Sequence, residues 1–160
     1  MHRSIHGLAW VEIQREKPRC IPKDRPGPIQ LEGIRYEGKV AKNLPEGFLH
    51  NPWFHFSDAN GPGWASPDFL VPPGVWCARP VLVEVKLTDT PRAITQLSEL
   101  YVPLAFNLYG ILPKSIIVVK NIHAETKTSD LVPSISAALT TDWSFPLVHW
   151  RNKGVPLWKV

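Results

Sequence analysis

Asp68, Glu84 and Lys86 are the residues whose types and spacing best suit a reaction centre. Residues 80–87 read Pro-Val-Leu-Val-Glu-Val-Lys-Leu, a β-branched run of the kind that favours a strand. Successive side chains of a strand point to opposite faces, so Val81, Val83, Val85 and Leu87 share one face and Leu82, Glu84 and Lys86 the other. A carboxylate and an ammonium in a valine-rich strand carry a large desolvation cost unless partners lie nearby. Asp68, on the segment before, is the expected companion. Two acidic oxygens converging at a sheet suit a hard cation, Mg2+ or Mn2+, that takes oxygen ligands and keeps several waters. The chemistry such a site serves is phosphodiester hydrolysis. The cation acidifies a water and neutralises charge on the phosphoryl oxygens, while the lysine sets a positive charge beside the same water.

The elements that must position these residues follow from pattern. Residues 8–14 alternate as a strand, and residues 17–28 form a basic, proline-rich connector. Over residues 30–44 the period becomes helical, with Ile34, Glu37, Ala41 and Leu44 on one stripe. Residues 48–58 carry alternating aromatics and are predicted to be one strand, closed by the turn Asn60-Gly61-Pro62-Gly63. A second short strand, residues 66–71, ends at Pro72-Pro73-Gly74, and residues 80–87 complete a meander. Thr90-Pro91 marks a helix start, threonine as cap and proline in the first turn. Ala93, Leu97, Leu100, Tyr101 and Leu104 supply that helix's apolar face, and Pro103 is expected to kink it or end its regular part. Ile116-Ile117-Val118-Val119 within residues 114–120 reads as a covered strand beside residues 81–87. Residues 129–139 are predicted to form a short helix, and residues 145–160 a hairpin around Asn152-Lys153-Gly154.

Pro67-Asp68 followed after a turn by Glu84-Val85-Lys86 resembles the signature of the PD-(D/E)XK nuclease superfamily. In that family a helix bearing a glutamate precedes the strands and another helix follows the lysine strand, an order that Glu37 and residues 90–109 match. The helix after the lysine resembles, loosely, that of the RecB-type branch, where a glutamine and a later tyrosine border the site, as Gln96 and Tyr101 do here. The resemblance implies an α/β domain with a mixed central β-sheet flanked by helices. Its restriction-endonuclease-like core spans about residues 30–122, with the N-terminal strand and C-terminal hairpin as additions. It also implies Asp68 and Glu84 as metal ligands, Glu37 as an accessory ligand, Lys86 as the residue that aims water, and Gln96 beside it. The implied reaction is in-line hydrolysis of DNA that leaves a 3′-hydroxyl and a 5′-phosphate.

Each of these residues also has a plainer reading. Glu37 suits a solvated helix position paired with Lys39 or Lys42, and Gln96 the exposed edge of its helix. Asp58 reads as the cap of the turn that follows it. His50 and His55 flank a tryptophan and a phenylalanine in a strand, where a core or surface role suits them better than metal ligation. At the C-terminus, Arg151, Lys153 and the neighbouring tryptophans suit either contacts to nucleic acid, with Tyr101 among them, or the filling of a small core. Arg15, Lys17, Arg19, Lys23 and Arg25 suit a phosphate track or a solvated loop.

Composition sets the outer bounds. With 160 residues, the chain fits one domain, and 17 prolines disfavour a helical bundle. A formal charge of +4 permits a polyanion partner without requiring one. Cys20 and Cys77 belong to no Cys/His cluster, which argues against a zinc site or a disulfide framework. The lack of a long apolar run points to a soluble, cytoplasmic protein with no membrane partner. DNA is the expected partner, and a homodimer or a phage or mobile-element setting would suit a nuclease of this size. Two rival classes remain: a catalytically inactive DNA-binding or assembly module of the same fold, and an interaction protein in which Glu84 and Lys86 merely pair.

Overall fold

The strand carrying Glu84 runs through the centre of a six-stranded mixed sheet. The computed structural model describes residues 3–22, 25–88, 91–122, 131–151 and 154–158. In chain order the elements are β1 (Trp10–Gln14), α1 (Pro28–Lys42), β2 (Leu49–His50), β3 (Trp53–Asp58), β4 (Gly61–Ala65), β5 (Phe69–Val71) and β6 (Val81–Thr88). Then come α2 (Pro91–Gln96), a π-helical turn (Leu97–Tyr101), α3 (Val102–Tyr109), β7 (Lys114–Asn121), β8 (Leu131–Val132), α4 (Ile135–Thr140) and β9 (Leu147–His149). The larger sheet has the order β2-β5-β6-β7-β9-β8, and a separate antiparallel sheet the order β1-β3-β4. The β2, β5 and β6 pairings are antiparallel, whereas β6-β7, β7-β9 and β9-β8 are parallel, so the sheet is mixed as expected.

Alternation on β6 divides the core in two. Val81, Val83 and Val85 face Tyr36 and Val40 of α1 together with Ile135 and Ala138 of α4. Leu82 faces the opposite way, toward Leu97, Leu100 and Leu104 of the long broken helix and toward Phe54 and Phe56 of β3. Burying a Val, Leu or Phe side chain is worth about 1.5–3 kcal/mol, so these two apolar layers clamp the sheet from both sides. Glu84 lies in the second layer, which is why the long helix borders its site.

Pro28 in the first turn and the Gln30 side chain, which accepts the Gly27 amide at 2.7 Å, begin α1. Its buried face is Tyr36 and Val40, four apart, and Leu44, also buried, lies just past the helix end. Ile34, expected on the apolar stripe, is 56% exposed because the stripe lies two residues round the helix. The Tyr36 hydroxyl donates to the Trp150 carbonyl at 2.6 Å and fastens α1 to the C-terminal segment.

Residues 48–58 form two strands in different sheets instead of one. Asn51 adopts φ 50°, and Pro52 has no amide to continue a ladder, so the chain turns between β2 and β3. Residues 61–63, expected in a turn, belong to β4. The turn is confined to Ala59 and Asn60, and an edge strand tolerates Pro62. Gly63 is required there: a Cβ would lie 2.7 Å from the Phe56 ring that covers it. The strand expected over residues 66–71 is only Phe69–Val71, with Asp68 immediately before it.

Pro103 does not end its helix, but the regular α-helical part is interrupted just before it by a π turn. The missing proline amide is absorbed by the five-residue π turn, whose widened hydrogen bond runs from the Val102 amide to the Leu97 carbonyl. Gly110, at φ 73°, then closes α3 in the left-handed conformation. The proposed cap Thr90 lies outside the described residues.

Within residues 129–139 the helix is shorter than expected. Ser134 caps α4 by accepting the Ala137 amide, and Leu131–Val132 pairs with β9 as a strand. The C-terminal hairpin is not formed among the described residues. β9 instead pairs parallel with β7, and Trp150, next in the chain, is buried in the core beside Tyr36. Cys20 and Cys77 are free thiols. Among the described residues no helix is long and apolar enough to cross a membrane.

Candidate active site

β5 and β6 bring the two central acids together through their main chains. The Asp68 amide donates to Glu84 Oε1 at 3.1 Å, and the Val85 amide donates to Asp68 Oδ2 at 2.7 Å. Each carboxylate thus spends one oxygen on a backbone donor of the other's strand, which fixes its rotamer. Glu84 is only 2% exposed, whereas Asp68 and Lys86 retain part of their surface. Lys86 Nζ lies 3.8 Å from Glu84 Oε2 and 3.5 Å from Gln96 Oε1. Alternation on β6 therefore delivers Glu84 and Lys86 to one side, and the helix that follows closes over them.

Glu37 reaches the same cluster from α1. Its partners are not Lys39 or Lys42: Oε2 lies 2.7 Å from His50 Nε2 and accepts from Asn51 Nδ2 at 3.1 Å, and its carboxyl is coupled electrostatically to that of Asp68. His50 is stacked on Phe69, centroids 4.6 Å apart, and burial holds its imidazole below the ordinary value. Asn51 is tied by its amide to the Asp68 carbonyl at 2.9 Å. Asn51 is thus a residue of this site that the sequence did not single out, and His50, expected in a core or surface role, bonds Glu37. The Asn-Pro dipeptide at 51–52, a turn signal, is the feature that could have drawn attention to Asn51.

The electrostatics are those of acids crowded out of water. Burial, and then the Asp68 charge, push Glu84 up to about 8. Burial first, and then the Glu37 charge, hold Asp68 well above the carboxylate range. Glu37 is raised mainly by burial. A hard cation would relieve this crowding, and the donor set, carboxylate oxygens only, fits Mg2+ or Mn2+. Among the described residues no three His, Cys, Asp or Glu form a ready cage. Magnesium does not require one, because it usually takes one or two carboxylates and completes its shell with water and substrate phosphate.

Gln96 and Tyr101 are joined in a chain of bonds. Gln96 Nε2 donates to the Tyr101 oxygen at 2.9 Å, and the Tyr101 hydroxyl donates to the Ser66 carbonyl at 2.9 Å. This corrects the expectation that Tyr101 contacts nucleic acid: it is 4% exposed and its hydroxyl is engaged on both sides. The π turn explains the pairing, since its extra residue brings position 101 round to position 96.

Arg151 is not joined to the acids. Its guanidinium donates to the Lys120 carbonyl at 3.0 Å and to Asn121 Oδ1 at 2.6 Å, at the end of β7. Lys153 lies outside the described residues. Asp58 has the capping role expected of it, accepting the Asn60 amide at 2.9 Å, and adds an ion pair with Arg3 at 2.7 Å. His55 pairs with Glu12 instead of joining the acidic cluster.

Beside the acids an open cleft of about 620 Å³ is lined by Arg15, Lys17, His50, Asn51, Trp53 and Ser66. Three of these, His50, Asn51 and Ser66, are the residues bonded to Glu37, Asp68 and Tyr101. Compared with family models, with curated proteins and with solved structures, the chain has no match.

Proposed function

We propose that the chain is a divalent-metal-dependent deoxyribonuclease with a restriction-endonuclease-like core. The observation that carries this reading is the seating of Asp68 against Glu84 by two main-chain hydrogen bonds, with Lys86 on the same side of β6. An ion pair serving stability alone would need neither the third carboxyl nor the cleft. The charge crowding among Glu37, Asp68 and Glu84 is a cost that a bound cation offsets.

In this reading Asp68 and Glu84 hold Mg2+ or Mn2+, with Glu37 as the accessory ligand. When bound, the cation acidifies water and neutralises charge building on the phosphoryl oxygens. Lys86, held between Glu84 and Gln96, keeps an ammonium where it can orient the attacking water and give a proton to its surroundings. Gln96, itself held by Tyr101, limits the lysine's swing. His50 and Asn51 aim Glu37.

The test is cleavage of linear, circular, single-stranded and branched DNA by wild type and Glu84→Gln, with Mg2+, with Mn2+ and with chelator. Cleavage by the wild type alone, and only with metal, is the expected result. DNA binding without cleavage under either metal would replace this reading with that of an inactive DNA-binding or assembly module.

A further inference from the structure

The solvent face of the smaller sheet carries an unusual set of side chains. In an antiparallel sheet that packs one face on a core, the other face is normally polar. Here Val11, Ile13, Phe54, Phe56 and Ala65 turn inward, and the outward positions hold Trp10, Trp53, His55 and Trp64 together with Gln14, Ser57 and Glu12, whose carboxylate lies 3.1 Å from His55 Nδ1. Trp10 is 44% exposed, and Trp53, His55 and Trp64 are partly exposed. His55 is stacked on Trp64 with centroids 3.9 Å apart and planes 5° apart, and the Trp10 ring meets it edge-on at 4.8 Å. Burying such rings elsewhere would be favourable, so their concentration on one open face marks a surface made to be covered.

Two observations say what covers it. Trp53, opposite Gln14 in the β1–β3 register, is also a wall of the cleft, so the outward face of β3 meets the groove beside the acids at this residue. The same groove is lined by Arg15 and Lys17, at the point where β1 gives way to the basic connector that also carries Arg19 and Arg25. Lys17 Nζ is held on the Pro22 carbonyl, and Arg15 makes no ion pair or hydrogen bond among the described residues. Cations at the end of a row of open aromatic rings match an unpaired strand, whose bases stack on any π-face and whose phosphates need positive charge. A duplex hides its base faces and would leave the rings uncovered.

We propose that the outward face of β1-β3-β4 is a stacking platform for single-stranded DNA, which Arg15 and Lys17 guide into the cleft beside Asp68 and Glu84. This deepens the nuclease reading by naming its substrate as a single strand or a single-stranded end, and it rests on that reading. Outward positions on one strand recur about every 7 Å, so Trp53 and the His55–Trp64 pair offer successive seats along the path.

The experiment measures fluorescence anisotropy of a labelled oligothymidylate and of a duplex of equal length, with the full chain in Mg2+-free buffer. The wild type binds the single strand more tightly. Trp53→Ala and Trp64→Ala each weaken that binding about ten-fold, and the Phe replacements weaken it far less. Gln14→Glu, on an exposed position that threatens no core, weakens it several-fold, and Arg15→Ala lowers the salt slope by about one. Unchanged single-strand affinity in the Trp→Ala and Gln14→Glu variants would overturn the proposal. So would a Trp10→Ala variant that alters only the oligomeric state in light scattering, since a second copy would then be what covers the face. Metal-dependent cleavage with Trp-independent binding would remove the platform and keep the nuclease; Trp-dependent binding with no cleavage under any metal would do the reverse.

Discussion

Asp68 and Glu84 hold one another through the main chain: the amide of Asp68 rests on Glu84 Oε1, and the carboxylate of Asp68 rests on the amide following Glu84. The two acids are therefore one structural unit, and substitutions at either act on both.

Glu84→Gln keeps an oxygen for the Asp68 amide and removes a buried, proton-hungry carboxyl. It should lower cleavage by about a hundred-fold or more while leaving the melting temperature equal or higher. Glu84→Ala strands the Asp68 amide as well, at about 1–3 kcal/mol, so thermal melts should separate the two variants. Equal activity in wild type and Glu84→Gln would contradict the assignment.

Acidity gives a second check. Glu84 titrates near 8 in the folded chain against an ordinary 4.5, so the folded state binds the additional proton between those values. Stability in chelator should fall as pH rises from about 5 to 8 and level off above. The raised Asp68 and Glu37 carboxyls act in the same direction. Mg2+ competes with these protons, so its stabilising effect should grow over the same interval. Glu84→Gln should flatten the slope; a profile already flat in the wild type would argue against the crowded acids.

Tyr101→Phe removes the donor to the Ser66 carbonyl and the acceptor for Gln96. A loss of about 1 kcal/mol in stability is expected. Because Gln96 borders Lys86, kcat should fall several-fold with little change in KM. A rise in KM alone would instead assign Tyr101 to substrate binding.

Asn51 combines a left-handed backbone with a hydrogen bond to Glu37. Asn51→Ala should destabilise the fold by about 1–2 kcal/mol, whereas Asn51→Gly should cost much less. Both variants lose the side-chain bond, so both should weaken metal binding equally. Chemical denaturation and metal titration read the two effects apart.

The acid–acid–lysine arrangement was legible because it is local. Strand alternation alone puts Glu84 with Lys86 and sets Val81, Val83 and Val85 behind them, and a short antiparallel connection returns Asp68 to the neighbouring strand. The path of residues 48–66 was not legible by composition. Its aromatics alternate straight through Asn51-Pro52, and only a backbone with positive φ moves the chain to another sheet. β4 was hidden by glycine and proline, residues that signal turns but fit an edge strand lying over Phe56. Tyr101 read as a surface contact because a regular helix would not pair it with Gln96; the π turn that absorbs Pro103 does so. The aromatic face needed the whole smaller sheet, since the outward side of Trp53, His55 and Trp64 is defined only once β1 and β4 flank β3.

The most direct measurement is Mn2+ binding followed by electron paramagnetic resonance on wild type, Asp68→Asn and Glu84→Gln at pH 8. The account predicts a Mn2+ site in the folded wild type that both variants lose or weaken at least ten-fold while their melts stay cooperative. Mn2+ bound with equal affinity by all three proteins, or by none of them, would contradict it.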